Sequence, residues 1–315
     1  PQSQAAADAE ALARFQHMKQ LEEENNRLFI EAYGLQDELS PEVPEDQITL
    51  ARPDREEDIK RLISYAIGCM MGRYKPRNTL NTPDHETHQI HEKEKGEELS
   101  CDSCISWSGA RFEPDPDAIV PIMDTDWFPD DAANRFVEFI GVAWPKEHLE
   151  ENLTFVADSL GPNRGEEPRD TIRRYIAQSF FKDHLKTYKR RPIYWLFSSG
   201  KQRAFQCLVY LHRYNEGTLS RMRTEYVIPL QGKLNARIEH LTNDAQQATS
   251  TSHRKKLEKE QDVLRKQQAE LLAFDEKLRH YADMRISLDL DDGVKVNYGK
   301  FGDLLAEVKA VCGEE

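Results

Sequence analysis

The chain has 315 residues, of which 38% are hydrophobic and 31% charged, and its formal net charge is −13. That composition is globular and rather polar, and no run approaches the eighteen apolar residues that a membrane-spanning helix needs. No charged-then-apolar secretory leader opens the chain, and the five cysteines are too few for a disulfide framework at this length, so reduced thiols and a cytoplasmic location are expected.

In chain order, residues 4–33 read as one long helix rich in Ala, Glu, Gln and Leu, with Leu21 and Leu28 seven apart and Gly34 placed as its C-cap. The opening at Pro1, straight into helix, suggests a fragment. Pro41 and Pro44 mark a connector, and a second helix begins at Asp54 or Glu56 and runs to about Arg73. Residues 75–118 are polar and without period, which reads as a mobile loop or insertion. Ile119–Met123 reads as a short strand. A helix then starts at Pro129 and Asp130 and ends near Trp144, a second covers 146–160, and a third runs unbroken over 169–188 with Ile172, Ile176 and Phe180 inward. Residues 193–198 and 206–210 read as strands joined around Ser199-Gly200-Lys201, with their aromatics alternating with polar residues as buried strand positions do. From Leu219 a helical pattern resumes, bent or broken at Pro229. Beyond the loop at 248–252, Leu257, Leu264, Leu271 and Leu278 repeat every seven residues, a heptad seam that suggests a folded-back helical hairpin. Residues 288–303 read as turns before a last short helix to Val311.

The expected fold class is therefore α+β and predominantly α-helical, with long helices, a small antiparallel sheet and a C-terminal coiled-coil-like hairpin. Five regions follow: a helix over 1–35, an acidic region over 36–168 holding the 75–118 insertion, a basic region over 169–233, the hairpin over 219–285, and a tail over 286–315.

The charge is unevenly spread. Residues 169–233 carry fourteen Lys and Arg against four acids, whereas residues 1–168 carry 16 basic against 36 acidic residues. A basic island in an acidic chain points to a polyanionic partner, and nucleic acid is the first candidate. The island also holds eleven of the 28 aromatics, most of them assigned to the core. Lys182, Lys186, Lys189, Arg190 and Arg191 fall along one side of the 169–188 helix and its end and are the first candidates for phosphate contacts; Lys201, Arg203, Arg213, Arg221 and Arg223 are the second.

Three other motifs carry residue types suited to chemistry. Cys101-x-x-Cys104 with His85, His88 and His91 has the ligand types of a zinc site, but its spacing is irregular and no second Cys pair exists, so no metal is assigned. Asp124, Asp126, Asp289, Asp291 and Asp292, with Lys295, would suit a metal-dependent nuclease only if they converged; N-capping by Asp126 and turn chemistry at 291–293 account for them more simply. Ser199-Gly200-Lys201 lacks the rest of a phosphate-binding loop. A pure protein-docking module remains the alternative to DNA binding.

Several collinear strings carry a resemblance: ENNRLFIEAYGL at 24–35, DIKRLISYAIGCMMGRY at 58–74, DTDWF at 124–128, KRRPIYWLFSS at 189–199, LVYLHRYN at 208–215, RMRTEY at 221–226 and LDDGVKVN at 290–297. Together they resemble the C-terminal portion of PglX, the adenine-specific DNA methyltransferase family of BREX phage-resistance systems. The resemblance covers nearly all of the chain except 75–118. It implies a parent enzyme that transfers a methyl group from S-adenosylmethionine to adenine N6 in duplex DNA, and partners among the parent methyltransferase domain and other BREX proteins. Such enzymes grip the flipped adenine with an Asn/Asp-Pro-Pro-Tyr/Phe motif. No Pro-Pro pair occurs here, so no catalytic residue is carried over and no cofactor is expected in this chain.

Overall fold

A computed structural model describes residues 2–45, 47–49, 54–74 and 112–313. The zinc candidates His88, His91, Cys101 and Cys104 lie outside the described residues. The chain divides into two compact units, Pro1–Ile59 and Lys60–Glu315.

The first unit is built on α1 (Gln2–Tyr33). It stops at Gly34, whose φ of +67° is left-handed; there Leu35 N–H reaches back to Ile30 O at 2.9 Å and closes the last turn. The α1 side chains Glu22, Glu23 and Asn26 hold the following connector through Thr49 N, Val43 N and Pro41 O at 3.0–3.3 Å. α2 (Arg55–Met70) leads into the second unit, its acidic first turn matching the helix dipole.

The second unit is organised around a three-stranded antiparallel sheet of order β1-β3-β2, formed by β1 (Ile119–Pro121), β2 (Tyr194–Ser198) and β3 (Gln206–Tyr210). Ile119 pairs with Val209, and Leu196 with Leu208. The expected alternation is corrected here: Tyr194, Trp195, Leu196 and Phe197 are all buried, because the sheet is covered on both faces. On one face Trp195 and Phe197 meet Tyr298 and Phe301 edge-on, with ring centroids 5.3–5.6 Å apart. On the other, Tyr194 stacks on His184 at 4.9 Å. The free edge of β2 is closed by the tail, where Ala306 N–H donates to Leu196 O at 2.8 Å.

Those contacts also explain why the tail is not all turn. It forms α10 (Gly293–Gly299), with Tyr298 wholly buried, and then α11 (Val308–Cys312). Burial against Trp195, some 100 residues away in sequence, imposes order that the local pattern does not carry.

Four α-helices lie between β1 and β2: α3 (Ala132–Ala143), α4 (Leu149–Leu160), α5 (Pro168–Gln178) and α6 (Phe180–Thr187). The single helix expected over 169–188 is in fact two, offset at Ser179 (φ −119°), and the offset buries the adjacent rings of both Phe180 and Phe181. α6 ends at Thr187, so the helical face extrapolated to Lys189 and Arg190 stops at Lys186. The N-cap of α3 is Asp131, which accepts from Asn134 N, and not the Asp126 assigned from sequence.

After β3 the chain forms α7 (Thr218–Arg221), winds through a π-type stretch (Met222–Val227) and continues as α8 (Ile228–Gln247). Pro229 therefore does not break the helix. Its missing donor is absorbed because donors here step back one carbonyl, as Ile228 N–H does to Arg223 O. α9 (Thr251–Asp283) returns antiparallel against α8: Arg237 pairs with Glu260 and Arg223 with Asp275, both at 2.7 Å. The four heptad leucines are buried, as is Phe274, and buried Gln261 donates to the Thr242 hydroxyl.

His184 couples α6 to the sheet. It is buried, and its Nε2 accepts from Ile193 N (3.2 Å) and Tyr194 N (3.3 Å), which fixes the neutral ring. Burial, reinforced by the charge of Arg73, lowers its pKa to about 3. Protonation therefore favours the unfolded chain, and stability should fall as pH drops below the ordinary histidine value of about 6.5, by about 2 kcal/mol at pH 5. Asp115 acts oppositely: burial raises its carboxyl to about 7, so it opposes folding increasingly from about pH 4 to 7. The comparison isolates His184: the loss in melting temperature between pH 7 and 5 should be smaller in His184→Gln than in the parent chain. Equal losses in the two would contradict a buried neutral imidazole.

Candidate nucleic-acid interface

The structure sorts the fourteen basic residues of 169–233 into two sets. Eight are engaged internally. Arg169 pairs with Glu150 (2.6 Å), Arg173 with the buried Asp131, Arg174 with Glu166 (2.8 Å), and Arg223 with Asp275 through two bonds of 2.7 and 3.0 Å. Arg213 donates to Asp115 O (2.7 Å) and Pro116 O (2.9 Å), tying the end of β3 to the segment before β1. Lys233 donates to Trp127 O with its ammonium over the Phe128 ring. Arg203 lies 3.5 Å from Asp124, and Arg221 lies 3.4 Å from Glu225; exposed pairs of that kind contribute ~0–1 kcal/mol and exchange partners readily.

The other six, Lys182, Lys186, Lys189, Arg190, Arg191 and Lys201, are exposed and form no side-chain hydrogen bond or ion pair among the described residues. They form two groups at opposite ends of β2. Five sit on α6 and the turn that follows it, and Lys201 sits on the β2–β3 loop. Five residues of strand separate them, about 16 Å.

The turn after α6 has an unusual build. Arg190 N–H bonds to Leu185 O (2.8 Å) and Lys189 N–H to Lys186 O (3.2 Å), the pattern that ends helices on a left-handed residue. Glycine is the ordinary occupant, yet here the left-handed positions are Lys189 (φ +49°) and Arg190 (φ +61°). Each costs on the order of 1 kcal/mol relative to a relaxed backbone. Beside them opens a cleft of about 360 Å³ lined by Thr187, Tyr188, Lys189 and Arg191. Tyr188 is held from behind by Arg73, whose guanidinium bonds its hydroxyl and lies over the Tyr74 and Tyr188 rings. The site thus presents an aromatic ring and a cationic rim.

The β2–β3 loop is held from α9. Glu270 accepts from Ser199 Oγ (2.8 Å), Gln202 N (2.7 Å) and Ala204 N (3.2 Å), and Gln267 donates to Gln202 O (3.2 Å). Gly200 makes this grip possible: its φ is +137°, and a Cβ there would lie 2.9 Å from Glu270 Oε2. The Ser-Gly-Lys string is therefore a receptor for an internal carboxylate. Its anion-binding donors are already filled. Sequence reasoning missed Glu270, which lies 71 residues from Ser199 and carries no local signal.

The carboxylates considered for metal chemistry do not converge. Asp124 accepts from Gln178 (2.8 Å), Asp126 accepts from Asn134 Nδ2 (2.8 Å), Asp289 accepts from Asp291 N (3.0 Å), and Asp292 faces Lys300 at 3.4 Å. Among the described residues no group of three His, Cys, Asp or Glu side chains is disposed to hold a metal ion. No described helix is long and apolar enough to cross a membrane.

Glu270→Ala should free the β2–β3 loop without unfolding the sheet, since three loop donors and not core side chains lose their acceptor. Hydrogen exchange at Gln202 and Ala204 amides should accelerate at least tenfold, while amides of β3 stay protected. Unchanged protection of Gln202 and Ala204 would remove Glu270 as the anchor.

No protein-family model matches the chain. It is 52% identical over 272 residues to the adenine-specific methyltransferase BrxX of Escherichia coli O9:H4 (strain HS), a match covering 84% of this chain and 22% of that protein. It is 40% identical over 297 residues to the adenine-specific methyltransferase PglX of Lacticaseibacillus casei (strain Zhang), covering 92% of this chain and 23% of that protein. The chain thus spans about a fifth of the length of the curated relatives it matches. It is a homologue of a segment of the BREX adenine-specific methyltransferases of the PglX type, and the partial coverage fits a C-terminal portion of such a protein.

Proposed function

We propose that this chain is a non-catalytic segment that binds and orients duplex DNA for the catalytic domain of an N6-adenine methyltransferase in a BREX anti-phage system, working in the cytoplasm. The observation that supports this reading most is the set of six exposed cations without internal partners, five of them gathered on α6 and its terminal turn beside the Tyr188 cleft. Unpaired Lys and Arg at that density suit a phosphate backbone and give sequence-independent affinity. Arg203 and Arg221, in weak exposed pairs, can add contacts; Arg213 and Arg223 serve the fold and support the surface indirectly.

S-adenosylmethionine belongs, in this proposal, to the parent catalytic domain. The one glycine-bearing loop that resembles a phosphate cradle has its donors filled by Glu270, and no Pro-Pro motif is present to grip a flipped adenine. No methyl-transfer step is assigned to these residues.

Fluorescence anisotropy with a duplex of a few tens of base pairs tests the proposal. Six phosphate contacts predict a log–log salt slope near −5, and Arg190→Glu with Arg191→Glu should flatten it by about 2 or more. Absence of binding at low salt would instead assign the cations to docking on the methyltransferase domain or another BREX component.

A second measurement separates function from folding. Lys189→Gly relieves a left-handed lysine, so it should raise the melting temperature by about 2 °C while weakening DNA binding. A variant that is more stable and binds DNA as well as the parent would show that the lysine serves no contact.

A further inference from the structure

A second row of cations lies outside the basic island, on α9. Lys255, Lys256, Lys259 and Lys266 are exposed and form no side-chain hydrogen bond or ion pair among the described residues. At 100° per residue, Lys255, Lys259, Lys266 and Glu270 fall within about 60° of one another on the helix surface. Leu257 and Leu264, which pack toward α8, occupy the opposite side. Glu258 and Asp262 flank the row on one side.

The row leads somewhere specific. Glu270 is the residue that grips the β2–β3 loop, so the lysines run in line from Lys201 on that loop to the tip of the α8–α9 hairpin. From Glu270 to Lys255 the helix rises about 22 Å, the length of about six base pairs.

The placement is unfavourable for α9 itself. Its first turn contains no acid, while Arg254, Lys255 and Lys256 crowd the end where the helix dipole disfavours cations. Lys255 and Lys259 are a like-charge i,i+4 pair, which adds repulsion. A helix that needed only to pack on α8 has no use for this arrangement.

We infer that the outer face of α9 is a phosphate track, by which the helical hairpin follows duplex DNA for about six base pairs beyond the β2–β3 loop. The inference rests on the DNA-binding reading above and extends it to a part of the chain whose overall charge is negative. Lysines suit this task because their ammonium groups meet phosphates as mobile point charges without demanding a fixed geometry.

The test compares the 315-residue chain with Lys255→Gln/Lys259→Gln/Lys266→Gln. The triple variant should lower the magnitude of the salt slope by about 2.7, three contacts at 0.9 each. Its hydroxyl-radical footprint should shorten by about six base pairs on one flank, and its melting temperature should not fall. The matching Lys→Arg triple should restore slope and footprint. If slope and footprint are unchanged while the Arg190/Arg191 reversal still weakens binding, the track is overturned and the DNA-binding reading stands. If the parent chain binds no duplex at low salt, both fall together.

Discussion

The enclosure of β2 on every side is the constraint from which the rest of the second unit follows. One face is closed by His184, which stacks on Tyr194, the other by Tyr298 and Phe301, and the edge by Leu305 and Ala306. A strand so placed cannot slip, because any shift would expose large rings on both faces at a cost of roughly 2 kcal/mol for each. Its two ends are therefore fixed points. At one end stands the Tyr188–Arg191 turn and at the other the loop gripped by Glu270. The unpaired cations of the basic segment sit at or beside those two ends, so a rigid, apolar element sets the spacing of a polar surface.

Charge composition and charge availability are different quantities in this chain. The acids that neutralise the basic segment come mostly from outside it: Glu150, Asp131, Glu166, Asp124 and Asp275. Folding brings the acidic helices and the basic ones together, and these pairs join α5 to α3 and α4, and the stretch before α8 to α9. The buried pair of Arg173 and Asp131 is the extreme case, where burial raises the Asp131 pKa and the Arg173 guanidinium opposes the rise. What remains after this internal pairing is the surface that a partner can meet. It is smaller than the sequence surplus and more sharply placed.

Some of this was legible in the residue string and some could not be. The Gly34 cap, the heptad leucines, the three strands and the long helices were read from local chemistry, because each depends on residues within one or two turns. The failures have two causes. The end of α6 and the continuity of the helix through Pro229 turn on local backbone bonds, Arg190 N–H to Leu185 O and Ile228 N–H to Arg223 O, that the residue types there do not signal. The helical α10 and the role of Glu270 depend on contacts between residues far apart in sequence. The β2 alternation failed for a related reason: only the covering elements decide whether one face or two is buried. For the site, the cations on α6 and its turn were identifiable by type, but not which of the fourteen had partners.

Departures from local preference concentrate where cations are presented. Of the six non-glycine residues at positive φ among the described residues, Lys189, Arg190, Arg203 and Arg285 are basic, whereas glycine or asparagine is the usual choice at such positions. The first turns of α9 break a different rule with the same residue type. Packing explains neither, since the Lys189, Arg190, Lys255 and Lys256 side chains are exposed. Strain that persists without a packing reason is expected where the surface itself has a task, because a relaxed alternative is a single substitution away. A glycine at 189 or an acid at 255 would satisfy the fold better. That both positions hold cations instead is what the DNA-binding proposal accounts for, in the α6 turn and the hairpin tip alike.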